Sequence, residues 1–328
     1  MKNRIHSFII ICLFTIVSSC SLGDNEGELE PQQGFTITQI VNLSSGLSTL
    51  EQALQITGLN TTLDGNGAFT LFAPSDIAFQ NFLDGRTLSD IPVDDLRQLL
   101  LNHIISRTLT TDQLSGIGSG YVNTISSAGP NGSNLSLFFN TSSGFVLNGG
   151  PTNGGANIIP ELTNSVASNG IVHIVDTVME LPNIETFLVA DSDLDSLSDA
   201  FNTNGLTTDF ISFLSSQGNS APFTVFIPNN SAFESLLTTL SINELGDLDP
   251  DTLESILNYH IIESSNLRSE NLNSGLAITT RNGETITIDA LNTVVDTGNR
   301  SGNIITIDIQ TTNGVMHITD IVLLPNLP

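Results

Sequence analysis

The sequence predicts a mixed α+β protein of two tandem domains, and three observations carry that prediction. Its 328 residues suffice for about two domains of ordinary size. Four landmarks recur in the same order in both halves. Within each half, apolar residues keep helical spacing early and strand-like runs late, bounded by Gly, Asn, Ser and Pro.

The landmarks justify the elements in turn. Leu47, Leu50 and Leu54 fall at i, i+3 and i+7, as do Leu194, Leu197 and Phe201, so each domain begins with a helix. Next come AFTLFAPSDIAF from Ala68 and PFTVFIPNNSAF from Pro222. In each, a β-rich run stops at Pro74 or Pro228, which reads as a buried strand ended where no ladder donor remains. Ser75-Asp76 and Asn229-Asn230-Ser231 then supply caps for a short helix carrying Phe79 or Phe233. LRQLLLNHII from Leu96 and LESILNYHII from Leu253 place His103 and His260 at the end of an apolar helical stripe. Finally, NGIVHIVDTVMELP from Asn169 and NGVMHITDIVLLP from Asn313 open on a hairpin-turn signal and lead into alternating strands bearing His173 and His317. The four offsets, 147, 154, 157 and 144, drift as loop insertions do. The reading is one domain over 35–182 and a second over 183–328, each with helices first and an antiparallel sheet last.

The first 19 residues have a basic start, an apolar run from Phe8 to Val17 and small residues before Cys20, the build of a secretory signal too short to span a bilayer. Removing it leaves Cys20 as the single thiol. VSSC resembles the bacterial lipobox, which implies cleavage before Cys20 and lipid attachment there; two or more acyl chains anchor stably. Residues 20–34 are polar and acidic and read as a flexible tether. They look like the acidic segment of surface-exported lipoproteins of the Bacteroidetes group, so the expected location is the cell envelope, as an outer-membrane lipoprotein facing outward. Loss of Lys2 and Arg4 takes the formal charge from -26 to -28, leaving six arginines and no lysine. That field repels phosphate backbones and anionic headgroups, which excludes nucleic acid and any membrane contact other than the anchor.

The chemistry-bearing residues assemble no catalytic set. Each half offers two histidines and no cysteine, short of a zinc site, and the expectation is that these rings are hydrogen-bonded scaffold. Asp191, Asp193, Asp195 and Asp199 match calcium-loop positions 1, 3, 5 and 9, but Ser196 and Asn202 stand where glycine and the bidentate glutamate belong, which favours helix capping. No Gly-x-Ser-x-Gly nucleophile elbow and no phosphate loop occurs. The expectation is a non-enzyme with no cofactor and no metal.

Taken together, the three paired motifs resemble the fasciclin (FAS1) domain over roughly Phe35 to Pro328. The resemblance implies a wedge of two short β-sheets packed with several α-helices, in secreted or surface-anchored adhesion modules that bind proteins or polysaccharides. Asn258-Tyr259-His260 matches the family's Tyr-His motif, whereas the first half has Asn102-His103. Asp308-Ile309 matches an Asp-Ile recognition pair before the Asn-Gly turn, where the first half has Ser165-Val166. Tyr259, His260, Asp308 and Ile309 are therefore the candidate partner-binding residues, expected on an exposed edge. The function expected is lipid-anchored adhesion or ligand binding to an extracellular polysaccharide or protein. An accessory subunit or enzyme of a surface glycan-utilisation system, or a periplasmic structural protein, is the alternative.

Overall fold

The computed structural model describes residues 34–289 and 292–327. Cys20, the leader and all but the last residue of the acidic segment lie outside the described residues.

The first domain opens with helices α1 (Ile37–Leu43), α2 (Ser48–Thr57) and α3 (Leu59–Asp64). Strand β1 (Phe69–Pro74) and helices α4 (Asp76–Leu83) and α5 (Val93–Leu101) follow, then β2 (Ile104–Ile105) and α6 (Thr111–Ile117). Strands β3 (Ser119–Asn123), β4 (Ser136–Asn140), β5 (Val146–Leu147) and β6 (Ala156–Asn157) precede β7 (Ser165–Ala167) and β8 (Gly170–Val175). The second domain repeats the order with α7 (Ile184–Ala190), α8 (Asp195–Phe201), α9 (Phe210–Ser215), β9 (Phe223–Pro228), α10 (Asn230–Leu240) and α11 (Pro250–Tyr259). It closes with β10 (Ile261–Ile262), β11 (Ala277–Thr279), β12 (Thr285–Asp289), β13 (Thr293–Val295), β14 (Ser301–Thr311) and β15 (Gly314–Thr319).

Both strand-stop-helix motifs form as the sequence requires. The side chains of Ser75 and Asn229 accept from the N–H groups of Ala78 and Ala232, 3.2 and 2.9 Å away, capping α4 and α10. Phe79 and Phe233 are buried with the α2 and α8 stripes, Leu50 and Leu54 in one domain and Leu197 and Phe201 in the other.

One expectation is corrected. The strand after each Asn-Gly lies parallel to the FTLFAP or FTVFIP strand at the centre of a mixed sheet, not in an antiparallel sheet of its own. The registers are the same in both copies: Phe69, Phe72 and Pro74 face Gly170, His173 and Val175, and Phe223, Phe226 and Pro228 face Gly314, His317 and Thr319. Helices and further strands intervene between the partners, giving the long crossover a parallel pair needs. Flanked on both sides and covered on both faces, β15 is buried along its whole length and β8 nearly so, which replaces the expected in-out alternation. The hairpin itself is present, but its two loop residues are Ser168-Asn169 and Thr312-Asn313, with Gly170 and Gly314 already paired. A Cβ on Gly170 would lie 2.1 Å from the Phe69 carbonyl oxygen, and one on Gly314 2.3 Å from that of Phe223. Glycine is what lets the parallel strands approach.

The two wedges differ in how their sheets join. In the second domain the long β14 pairs with β15 at one end and β13 at the other, bulged between Ile304 and Ile309, so one sheet of order β10-β9-β15-β14-β13-β12-β11 results. The corresponding stretch of the first domain is interrupted at Pro160, which starts a 3-10 turn. Only an isolated bridge, Ile158 to Val175, precedes it, and two four-stranded sheets remain, β2-β1-β8-β7 and β3-β4-β5-β6.

Candidate functional site

The repeated polar residues are struts. His103 Nδ1–H donates to the Leu99 carbonyl at 2.7 Å, and Nε2 accepts from Met179 N–H at 2.8 Å. His260 does the same with Ile256 O at 2.8 Å and Leu323 N–H at 3.0 Å. Each ring pins the end of a helix to the chain that leaves the sheet. His173 and His317 take the other tautomer, donating from Nε2 to the carbonyls of Leu109 and Leu267 at 2.7 and 2.8 Å. Their Nδ1 atoms accept from Asn164 and Asp308 N–H, both at 3.3 Å. Burial dominates the titration of all four and holds them below the usual histidine range, His103 and His260 at about 4. With both nitrogens engaged and the rings neutral, none is placed to ligate metal or shuttle protons, and the described residues contain no cluster of three or more metal-ligating side chains.

Asn169 and Asn313 complete the set. The Asn169 amide accepts from Ile37 N–H at 2.9 Å and donates to the carbonyls of Leu63 and Gly65 at 2.7 and 2.8 Å. Asn313 serves Ile184, Leu214 and Ser216 in the same way, at 3.1, 2.6 and 3.1 Å. Thr70 donates to Arg107 O at 2.6 Å and accepts from Leu109 N–H at 2.8 Å, while Thr224 bonds Ser265 O and Leu267 N–H, both at 2.8 Å. The segments bearing Arg107 and Arg268 are therefore fixed to the central sheet by a threonine and a histidine in each domain.

Of the candidate partner-binding residues, three are interior, which corrects the expected exposed edge. Tyr259 is 0%, His260 2% and Ile309 1% exposed. Tyr259 points inward because its hydroxyl has partners there, donating to Thr285 O at 2.7 Å and accepting from Thr297 N–H at 3.1 Å. Ile309 belongs to the second domain's core. Asp308 alone reaches the surface. It sits at the bulge with φ +61°, accepts from Ser269 N–H and hydroxyl at 2.8 and 2.5 Å, and lies 3.6 Å from Arg268 Nη2.

Asp308 borders a groove of about 520 Å³ at the seam between the domains. The first domain contributes Ile105 to Arg107, Tyr121 to Asn123 and Ser136; the second contributes Arg268 and Thr306 to Ile309. Below it the seam is packed. Phe138 on β4 is 2% exposed within the same core as Phe187 and Met316 of the second domain. Tyr121 meets Phe138 at 4.9 Å and Phe187 edge-on at 5.4 Å. Its hydroxyl donates to Asp191 Oδ2 at 2.7 Å, and Gln310 N–H donates to the Ser136 hydroxyl at 3.0 Å. Burial raises the Asp191 carboxyl and keeps the Tyr121 phenol far above its usual range, so phenol donates to carboxylate. Asp191 also accepts from Asp193 N–H at 3.1 Å, which caps the turn entering α8.

No repeated motif of the sequence marks the seam. Tyr121 and Phe138 lie in a stretch that the two halves spell differently, and no periodicity marks them. The arginines carried a usable signal: two of only six beyond the leader stand shortly after the two His-Ile-Ile motifs.

A profile of the fasciclin domain matches residues 45–182 and 192–325. Human periostin is 33% identical over 298 residues, covering 86% of this chain and 31% of periostin. The transforming growth factor-beta-induced protein ig-h3 of Sus scrofa is 28% identical over 311 residues, covering 85% of this chain and 40% of its own length. The chain thus spans less than half of either relative. The solved FAS1 domain pair from the insect cell adhesion molecule fasciclin I superposes with a TM-score of 0.50 at 20% identity, covering 89% of this chain and 96% of that one, which is a likeness of fold.

Proposed function

Because the chain belongs to the fasciclin domain family, we propose that it is a non-enzymatic adhesion or ligand-binding protein of the cell envelope. In this reading Cys20 carries the lipid anchor, residues 20–34 hold the domains away from an outer membrane, and the partner is an extracellular polysaccharide or protein. The observation that carries it is the seam groove. The motifs both domains share are consumed by internal hydrogen bonds and packing, whereas the groove, apart from Ile105 of the His-Ile-Ile motif, is lined by residues the two copies do not share, such as Arg107, Tyr121, Arg268 and Asp308. Recognition on segments held by a rigid scaffold is the usual division of labour in binding modules. The solved domain pair comes from a molecule described as a cell adhesion molecule, and its likeness makes adhesion the reading to test first.

Two measurements test it. Intact cells treated with protease should lose the protein, and palmitate label should enter the wild-type chain but not Cys20→Ala. The full chain on a glycan and protein array should then retain a discrete set of targets. Protection of the protein in intact cells would refute the outward-facing location, and an array without retained targets would refute ligand binding.

A further inference from the structure

We infer that the seam groove captures an extended acidic peptide segment of a partner protein, which pairs with the open edge of β3 and sets a carboxylate against Arg107. This narrows the adhesion reading above and rests on it.

The edge comes first. Among the described residues β3 ends its sheet, with β4 as its one neighbour. Thr124 N–H bonds to Leu135 O and Thr141 N–H to Gly118 O, at 2.8 Å each, which fixes the phase of the ladder. Residues 118, 120, 122 and 124 therefore turn their peptide groups toward β4, and 119, 121 and 123 turn theirs away. Three consecutive residues, Tyr121 to Asn123, line the groove, so it is the strand's edge that borders it. An unpaired edge beside a cleft is a template for an added strand.

Charge selects what is added. Among the described residues, Arg86 is bonded to the carbonyls of Phe82 and Leu83, Arg97 to Thr57, Arg281 to Glu263 and Arg300 to Asp296. Arg107 is exposed and its side chain has no partner among them, in a chain with 34 carboxylates. Arg268 across the groove is engaged: it donates to Gln310 Oε1 at 3.0 Å and has Glu270 and Asp308 at 3.4 and 3.6 Å. Among the described residues Arg107 is thus the guanidinium on the cleft left without a carboxylate, and a carboxylate fits its fork.

A peptide suits the cleft better than a sugar. The chain has no tryptophan, and the ring of Tyr121 is packed by Phe138 and Phe187, so no free aromatic face is offered to a pyranose.

The test titrates the full-length protein with a fluorescein-labelled octapeptide alternating Glu with Val and Thr, read by anisotropy at low and high salt. Three comparators accompany it: the Gln-for-Glu peptide, the same acidic peptide N-methylated on alternate residues, and an oligogalacturonate of equal charge as competitor. Saturable binding is expected, weakened about tenfold or more by R107Q, by the Gln peptide and by N-methylation, and lowered by salt. No binding, equal affinity of R107Q, indifference to N-methylation, or displacement by the oligogalacturonate at the peptide's own concentration would each overturn it. Wild type and R107Q run in parallel for attachment of intact cells to protein-coated surfaces: cells that attach while the peptide fails defeat this inference alone, and cells that do not attach defeat the adhesion reading itself.

Discussion

The two domains share their hydrogen-bonded struts and differ in their outer sheets and at one buried position. His103 and His260, Asn169 and Asn313, Thr70 and Thr224 make the same bonds in both copies, while position 102 in one and 259 in the other do opposite things. Tyr259 reaches across its domain to Thr285 and Thr297; Asn102 donates to Glu180 O at 3.0 Å and leaves its carbonyl oxygen buried with no hydrogen bond among the described residues. The outer sheets diverge further. The second domain's is continuous through β14, whereas the first domain's is cut loose at Pro160 and lays Tyr121 and Phe138 against its neighbour. What is repeated maintains a fold, and what is not repeated joins two folds and shapes the cleft between them.

Acid should give the largest effect, and it strikes both domains alike. A histidine whose folded pKa is depressed binds its proton more readily unfolded, so its contribution is complete above about pH 6.5 and is lost as pH falls toward about 4. His103 and His260 should each cost roughly 3 kcal/mol by pH 4, with His173 and His317 adding in the same direction. Urea unfolding midpoints across pH 7 to 4 check this, and an unchanged midpoint would remove the struts from the account. Next in size is Phe138→Ala, expected to cost about 3–5 kcal/mol. Amide hydrogen exchange should show β14 and β15 of the second domain losing protection, though the substitution lies in the first; an effect confined to β3–β6 would break the comparison.

Tyr121→Phe should cost about 1–3 kcal/mol by stranding the buried Asp191 carboxylate. Asp191→Asn should cost about 0.5–1.5 kcal/mol at pH 7, since its one oxygen can keep the phenol's bond or that of Asp193 N–H but not both, a loss partly offset by removal of a desolvated charge. The raised Asp191 pKa means the ionised form costs stability at neutral pH and the cost fades on acidification, so the Asn variant should also flatten that component of the pH profile.

The fold was legible because its signals are local. Helical spacing, the Pro stops at Pro74 and Pro228, and the caps at Ser75 and Asn229 each act within a few residues. The parallel pairing was not, because β1 and β8 lie about a hundred residues apart and only the bare Cα of Gly170 and Gly314 betrays the close approach. The same limit hid the seam: Tyr121, Phe138 and Asp191 meet through tertiary packing alone. Motif matching also pointed past the surface, since Tyr259 and His260 are interior, while Asp308 and the buried Ile309 are the members of that set that border the cleft.

The central claim, that shared residues hold the fold while the seam makes the contact, is tested most directly by measuring cell attachment per folded molecule for Asn313→Ala and Arg107→Gln beside the wild type. Asn313→Ala should melt lower but attach normally once corrected for folded fraction, and Arg107→Gln should melt with the wild type but attach poorly. The reverse pattern, attachment lost with the asparagine and kept without the arginine, would contradict it.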